Sequence, residues 1–221
     1  MSFVDGANVD IGPRHGHRVV ARDEVGGTPT FWAVKRGFDL VFSLILLVPM
    51  LIVAAALLVL NPMFNAGPVF FVQDRMGRGC GAFRVIKFRT MSEACGTRGP
   101  DDPMERDRIT PLGRWLRATR VDELPQVWNV LRGEMSLIGP RPDDVSHARV
   151  YLECVPDYRR RHSIRPGISG LAQIRNGYAE GLDATCRKVE ADLAYLRHAG
   201  LGLELWIFWR TVITVLLGRG L

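Results

Sequence analysis

The sequence predicts an α+β fold, mostly helical, held at a membrane by an N-terminal helical element. Three observations lead there. The apolar run 38–60, FDLVFSLILLVPMLIVAAALLVL, has basic residues on both sides. Two short alternating segments around a glycine-rich turn at 69–91 supply a small β element. Beyond them the segments 123–132, 183–198 and 203–220 read as helices.

A chain of 221 residues can bury one core, with or without a membrane element, and is too short for two ordinary domains and a linker. Its formal net charge of +6 suggests an anionic partner: nucleic acid, anionic lipid or a phosphorylated substrate. Cys80, Cys95, Cys154 and Cys186 are widely spaced, without a C-x-x-C pair, which argues against a disulfide framework or zinc site and for thiols facing a reducing cytoplasm. Residues 1–30 are rich in Gly, Pro, Asp, Arg and His without an apolar period, so a flexible tail is expected there, followed by one domain over 31–221. The tail does not read as a secretory signal, because the apolar run starts too late.

The apolar run is long enough to cross a bilayer. Pro49 sits at its midpoint, where it removes a backbone donor and clashes with the carbonyl of Ile45. Arg22, Lys35 and Arg36 precede the run, and Arg75, Arg78, Arg84, Lys87 and Arg89 follow it. Basic flanks mark the cytoplasmic side, and here both flanks are basic. A kinked single span and a re-entrant helix-break-helix hairpin over about 36–61 both fit these residues.

After Gly67-Pro68, the second β segment alternates Ile86 and Phe88 with Lys87 and Arg89. Its cationic side reads either as a solvated face or as a wall for phosphate. Residues 92–110 read as a polar loop.

Asp122 and Glu123 lie in the stretch RATRVDELPQVWNVLRG at 117–133. A helix is expected from Glu123 to Arg132, with Pro125 in its first turn, Gly133 as its stop and Asp122 as N-cap. Capping alone would account for Asp122. The setting allows more, since Arg117 and Arg120 fall within a turn of a helix start that can hold a phosphoryl group. Asp122 could then attack phosphorus, Glu123 could serve as base or metal partner, and Mg²⁺ would neutralise the phosphates, with Asp122 as its ligand.

Rigid turns also hold Arg141 in MSLIGPRPDD and Arg165 in SIRPGISG, each suited to a bidentate phosphate contact. Val189, Leu193 and Leu196 mark the inner face of the 183–198 helix. The 203–220 segment carries Trp206, Phe208 and Trp209 and fits either an interfacial amphipathic helix or a core helix.

Taken together, the broken run around Pro49, GPVFFVQDRMGR, KFRTM, VDELPQVWNVLRGEMSLIGPRP and RPGISGLAQ resemble the bacterial sugar transferase family, the monotopic phosphoglycosyl transferases, over roughly 31–220. The chain looks like the short, exopolysaccharide-type form. The resemblance implies transfer of a sugar-1-phosphate from a UDP-sugar to undecaprenyl phosphate with release of UMP, and galactose or glucose is the expected sugar. It implies catalysis by Asp122 and Glu123 with Mg²⁺ through a covalent phosphosugar on Asp122, and phosphate binding by Lys87, Arg89, Arg117, Arg141 and Arg165. It also implies a re-entrant hairpin broken at Pro49, a catalytic part over about 67–221 on the cytoplasmic face of the inner membrane, contact with membrane lipids and not nucleic acid, and a possible homodimer. Two departures stand out: Val48 precedes Pro49 where many members have serine, and Arg175-Asn176-Gly177-Tyr178 replaces an Asn-Gly-Arg type sequence. The rival reading is a non-catalytic, membrane-tethered basic module binding acidic lipid or nucleic acid.

Overall fold

The computed structural model describes residues 25–65, 67–92, 106–176 and 181–218. Most of the expected tail and of the 92–110 loop, together with Gly177 and Tyr178, lie outside the described residues. The fold is mostly helical with a small β content, as expected.

Helix α1 spans Pro29–Phe64 and so begins inside the stretch expected to be tail. Thr28 caps it by accepting a hydrogen bond from the Phe31 N–H at 3.1 Å, and Pro29 fills a first-turn position that needs no donor. One 18-residue window reaches a mean hydropathy of 3.0 and is only 17% buried, so α1 is long and apolar enough to cross a membrane. The helix runs through Pro49 without interruption, which corrects the expected helix-break-helix. A proline inside an apolar helix removes one hydrogen bond, and a local bend can absorb that loss without ending the element.

Both halves of α1 rest on the same body. Lys35 Nζ pairs with Glu204 at 2.6 Å, and Asp39 Oδ1 accepts from the Leu137 N–H at 3.0 Å. Phe38 and Phe42 pack edge-on against Phe208. Toward the other end, Met50 and Leu57 pack with Phe88, Leu116 and Val127, while Asn61 donates to Gly67 O and Asn65 to Arg89 O, each at 2.8 Å.

Strands β1 (Phe70–Met76) and β2 (Ala82–Phe88) form the expected antiparallel hairpin, with Phe70 opposite Phe88 and Met76 opposite Ala82. Helix α2 (Pro111–Ala118) follows, capped by Thr110, and leads to α3 (Gln126–Leu131). Gly133, with φ of 81°, stops α3 as its lack of Cβ allows. A second pairing was not read from the sequence: β3 (Ser136–Ile138) runs parallel to β4 (Gly167–Ser169). It requires glycine, because a Cβ on Gly167 would lie 2.1 Å from the Gly139 nitrogen. This contact joins the two arginine-bearing turns.

Four further helices complete the body: α4 (Val145–Cys154), α5 (Leu171–Asn176), α6 (Leu182–Arg197) and α7 (Leu201–Leu216). Val189, Leu193 and Leu196 of α6 are buried as expected. On α7, Glu204 and Ile207 turn inward while Trp206 and Trp209 stay exposed, the amphipathic pattern expected there.

Candidate active site

Asp122 does not cap a helix. It lies with Glu123 in a 3-10 turn, Val121–Glu123, and Pro125 takes the N-cap position of α3. The cause is the missing donor of Pro125: Glu123 N–H bonds Arg120 O at 3.2 Å and Leu124 N–H bonds Val121 O at 3.1 Å, a tighter pattern that ends where proline cannot donate. Arg120 reverses the chain after α2 with a left-handed φ of 58°, which costs a non-glycine residue about 1 kcal/mol.

The two carboxylates, 8% and 6% exposed, have unlike surroundings. Glu123 is gripped by Arg141 through both oxygens, at 3.0 Å for Oε2, and Lys87 and Arg120 each stand 3.8 Å away. Burial alone would raise its pKa, but Arg141 and Lys87 outweigh burial and lower it to about 2. Asp122 has no described hydrogen bond or ion pair. Burial and the Glu123 charge push it up to about 6, against the pull of Lys87, Arg141 and Arg117.

Of the five basic candidates, the fold brings three to the carboxylates. Lys87 reaches in from β2 and Arg141 from the turn after β3. Arg117, on α2, is steadied by Thr90 Oγ1 and Met91 Sδ, both at 2.9 Å. The other two lie apart. Arg89 lies beside Gly67, where an added Cβ would come within 2.9 Å of its Nη1. Arg165 donates to Gly133 O at 2.8 Å, at the far end of α3, and lines a separate open pocket with Arg78 and Glu134.

Arg75 was missed as a site residue by sequence reasoning. Together with Val85, Lys87, Gln126, Arg141 and Pro142 it lines a small cleft. Its guanidinium donates to Pro142 O at 3.3 Å and Gln73 Oε1 at 2.6 Å. Behind Arg141 stands a buried network. Arg161, 1% exposed, donates to Arg141 O at 2.6 Å and to Asp192 at 2.8 Å, and also pairs with Asp143, which Lys188 and Tyr158 contact too. Nothing local in the sequence links these residues, which lie up to 51 positions apart (192 − 141).

No group of three or more His, Cys, Asp or Glu able to hold a metal occurs among the described residues. Mg²⁺ does not need one, since it keeps several waters and binds through one or two carboxylates plus substrate phosphates. Asp122, with no described partner, fits that requirement; Glu123 is committed to Arg141.

A buried carboxylate near three cations, in a chain that also carries a long and largely exposed apolar helix, suits a protein that handles anions at a membrane. Residues 30–218 match the family model described as bacterial sugar transferase, and the chain belongs to that family. It is 40% identical over 197 residues to the UDP-N-acetylgalactosamine-undecaprenyl-phosphate N-acetylgalactosaminephosphotransferase of Aeromonas hydrophila, covering 87% of this chain and 46% of that protein. It is 40% identical over 190 residues to the UDP-glucose:undecaprenyl-phosphate glucose-1-phosphate transferase of Caulobacter vibrioides, covering 82% of this chain and 69% of that one. Against the exopolysaccharide production protein PSS of Rhizobium leguminosarum bv. phaseoli, identity is 38% over 198 residues, covering 85% and 98%. The chain thus spans less than half of the Aeromonas relative.

Proposed function

We propose that this protein transfers a hexose-1-phosphate from a UDP-sugar to undecaprenyl phosphate, the first membrane step in building an exopolysaccharide or related glycan. The observation that carries the proposal is the division between neighbouring carboxylates, with Glu123 locked into cations and Asp122 unpaired beside them. An Asp122 oxygen attacks the sugar-proximal phosphorus, the bond from phosphorus to the bridging oxygen breaks, and UMP leaves with the electron pair. An oxygen of undecaprenyl phosphate then attacks the same phosphorus, the bond to Asp122 breaks, and the carboxylate is restored.

Lys87, Arg117 and Arg141 offset charge on the transferring phosphoryl group. Glu123, ionised and paired, serves both steps by fixing Arg141 and Lys87 around that group. Mg²⁺ bound at Asp122 would neutralise donor phosphate oxygens. Glucose or galactose is the sugar we favour. The glucose named for the Caulobacter relative supports it, and the N-acetylgalactosamine named for the Aeromonas relative counts against it.

We further propose that α1 is re-entrant, bent at Pro49, with both ends and the catalytic part on the cytoplasmic side of the inner membrane. Support comes from the bonds that tie Lys35 near its start and Asn61 and Asn65 near its end to one body. A straight helix of 36 residues would extend about 54 Å, well beyond a hydrocarbon core of about 30 Å.

The test is UMP release by detergent-solubilised protein with Mg²⁺ and undecaprenyl phosphate across a panel of UDP-sugars. Release with one sugar, abolished in Asp122→Asn, is expected. Salt-sensitive binding of acidic lipid without release from any donor would favour the non-catalytic module.

A further inference from the structure

The cleft beside the carboxylates holds a polar group that nothing in the folded chain uses. Gln126 is 2% exposed, lines the cleft, and its Nε2 has no hydrogen-bond partner among the described residues. Buried amide donors are rarely left unpaired, because losing water without gaining an acceptor destabilises the fold. Three cations share the cleft with it: Arg75, Lys87 and Arg141. Arg75 is aimed by Pro142 O and Gln73 Oε1, and Gln73 is in turn held by Asp144 at 2.9 Å. Of the anionic groups around it, Glu123 is engaged with Arg141 and Lys87, and Asp144 with Gln73.

We propose that Arg75 and Gln126 form a phosphate subsite next to Asp122, in which the Gln126 amide donates to a phosphate ester oxygen and Arg75 supplies charge. The inference rests on the transferase reading for the identity of the ester. Two sources share this chemistry, the diphosphate of the nucleotide donor and the phosphate of the lipid acceptor. The Arg75 guanidinium and the Gln126 Nε2 are both donors, as a fully ionised phosphate requires. A purely structural Gln126 would need its Nε2 bonded within the protein, and it is not.

The test uses Gln126→Met, which keeps length and removes the donor, and Arg75→Gln, on the full chain in detergent. UDP affinity is measured by calorimetry, and undecaprenyl phosphate affinity by competition in mixed micelles. Because the Gln126 Nε2 donor it removes is unpaired, Gln126→Met should remain folded, with an unfolding temperature close to that of the parent. Loss of about 10- to 100-fold in UDP affinity, the range for a hydrogen bond to a charged group, assigns the subsite to the donor. The same loss confined to undecaprenyl phosphate assigns it to the acceptor. Unchanged affinity for both ligands in both variants overturns the proposal. The readout is binding, so it stands apart from the transferase reading: a parent protein that binds UDP yet releases no UMP would sink that reading and leave the subsite intact.

Discussion

Asp122 and Glu123 share one turn of backbone and differ in what the fold places against each. Replacing Glu123 by Gln removes the charge that holds Arg141 and Lys87, so turnover should fall by about 100-fold or more while the protein stays folded, measured as UMP release and thermal unfolding. Lys87 adds a pH limb. Burial and the neighbouring Arg141 lower it to about 8, so it carries its charge below that pH and loses it above. UDP affinity should therefore weaken above about pH 8 in the parent protein, and Lys87→Arg should lose that dependence. A residue outside the site contributes to acid stability. His162 is buried with Nδ1 3.0 Å from Gly77 O, and burial with Arg161 nearby lowers its pKa to about 3. The unfolded chain takes up this proton near pH 6.5 and the folded chain only near 3. The contribution is therefore complete above pH 6.5 and declines toward pH 3, at up to about 1.4 kcal/mol per pH unit. His162→Gln should remove that part of the slope of unfolding free energy against pH. At this scale the sequence exposed Asp122, Glu123, Lys87, Arg117 and Arg141 through their motifs. It did not expose Arg75 or Gln126, because a cleft is defined by the packing of β1, β2 and α3 together.

Helix α1 illustrates what periodicity can and cannot convey about an element. Its apolar character and Pro49 were plain, and the start of the helix was blurred by the polar residues before it. The helix also carries a buried polar stripe at four-residue spacing, Lys35, Asp39 and Ser43; Lys35 pairs with Glu204 on α7 and Asp39 accepts from Leu137 on β3. Such partners cannot be read from a local pattern. Lys35→Met should leave Glu204 buried without its counter-ion and cost about 3–5 kcal/mol, whereas the double change Lys35→Met with Glu204→Gln should recover most of that loss. Unfolding temperatures in detergent, compared as a double-mutant cycle, check this. Strands β3 and β4 were also beyond local reading, since three residues each give no alternation to recognise. Their glycines and prolines were visible as rigid turns, and the parallel pairing explains why both turns are rigid.

Across the whole molecule, exposed apolar side chains gather on α1, β1 and α7, including Ile45, Ile52, Phe71, Leu205 and Trp209. Monomeric soluble proteins seldom expose so much, and such surface marks contact with a membrane or partner. If α1 dips into one leaflet, single cysteines placed at the exposed Thr28 and Pro68 in a cysteine-free background will both react with a reagent confined to the cytoplasmic side. Reaction of Thr28→Cys only from the opposite side would mean a single span. The central claim concerns Asp122. Its most direct test is the intact mass of the protein after incubation with Mg²⁺ and the donor that supports UMP release, with undecaprenyl phosphate left out. The account predicts a gain of one hexose-phosphate, located on Asp122, lost when acceptor is added and absent in Asp122→Asn. Full transfer to the acceptor with no adduct in any rapidly quenched sample, or an adduct that persists in Asp122→Asn, would contradict it.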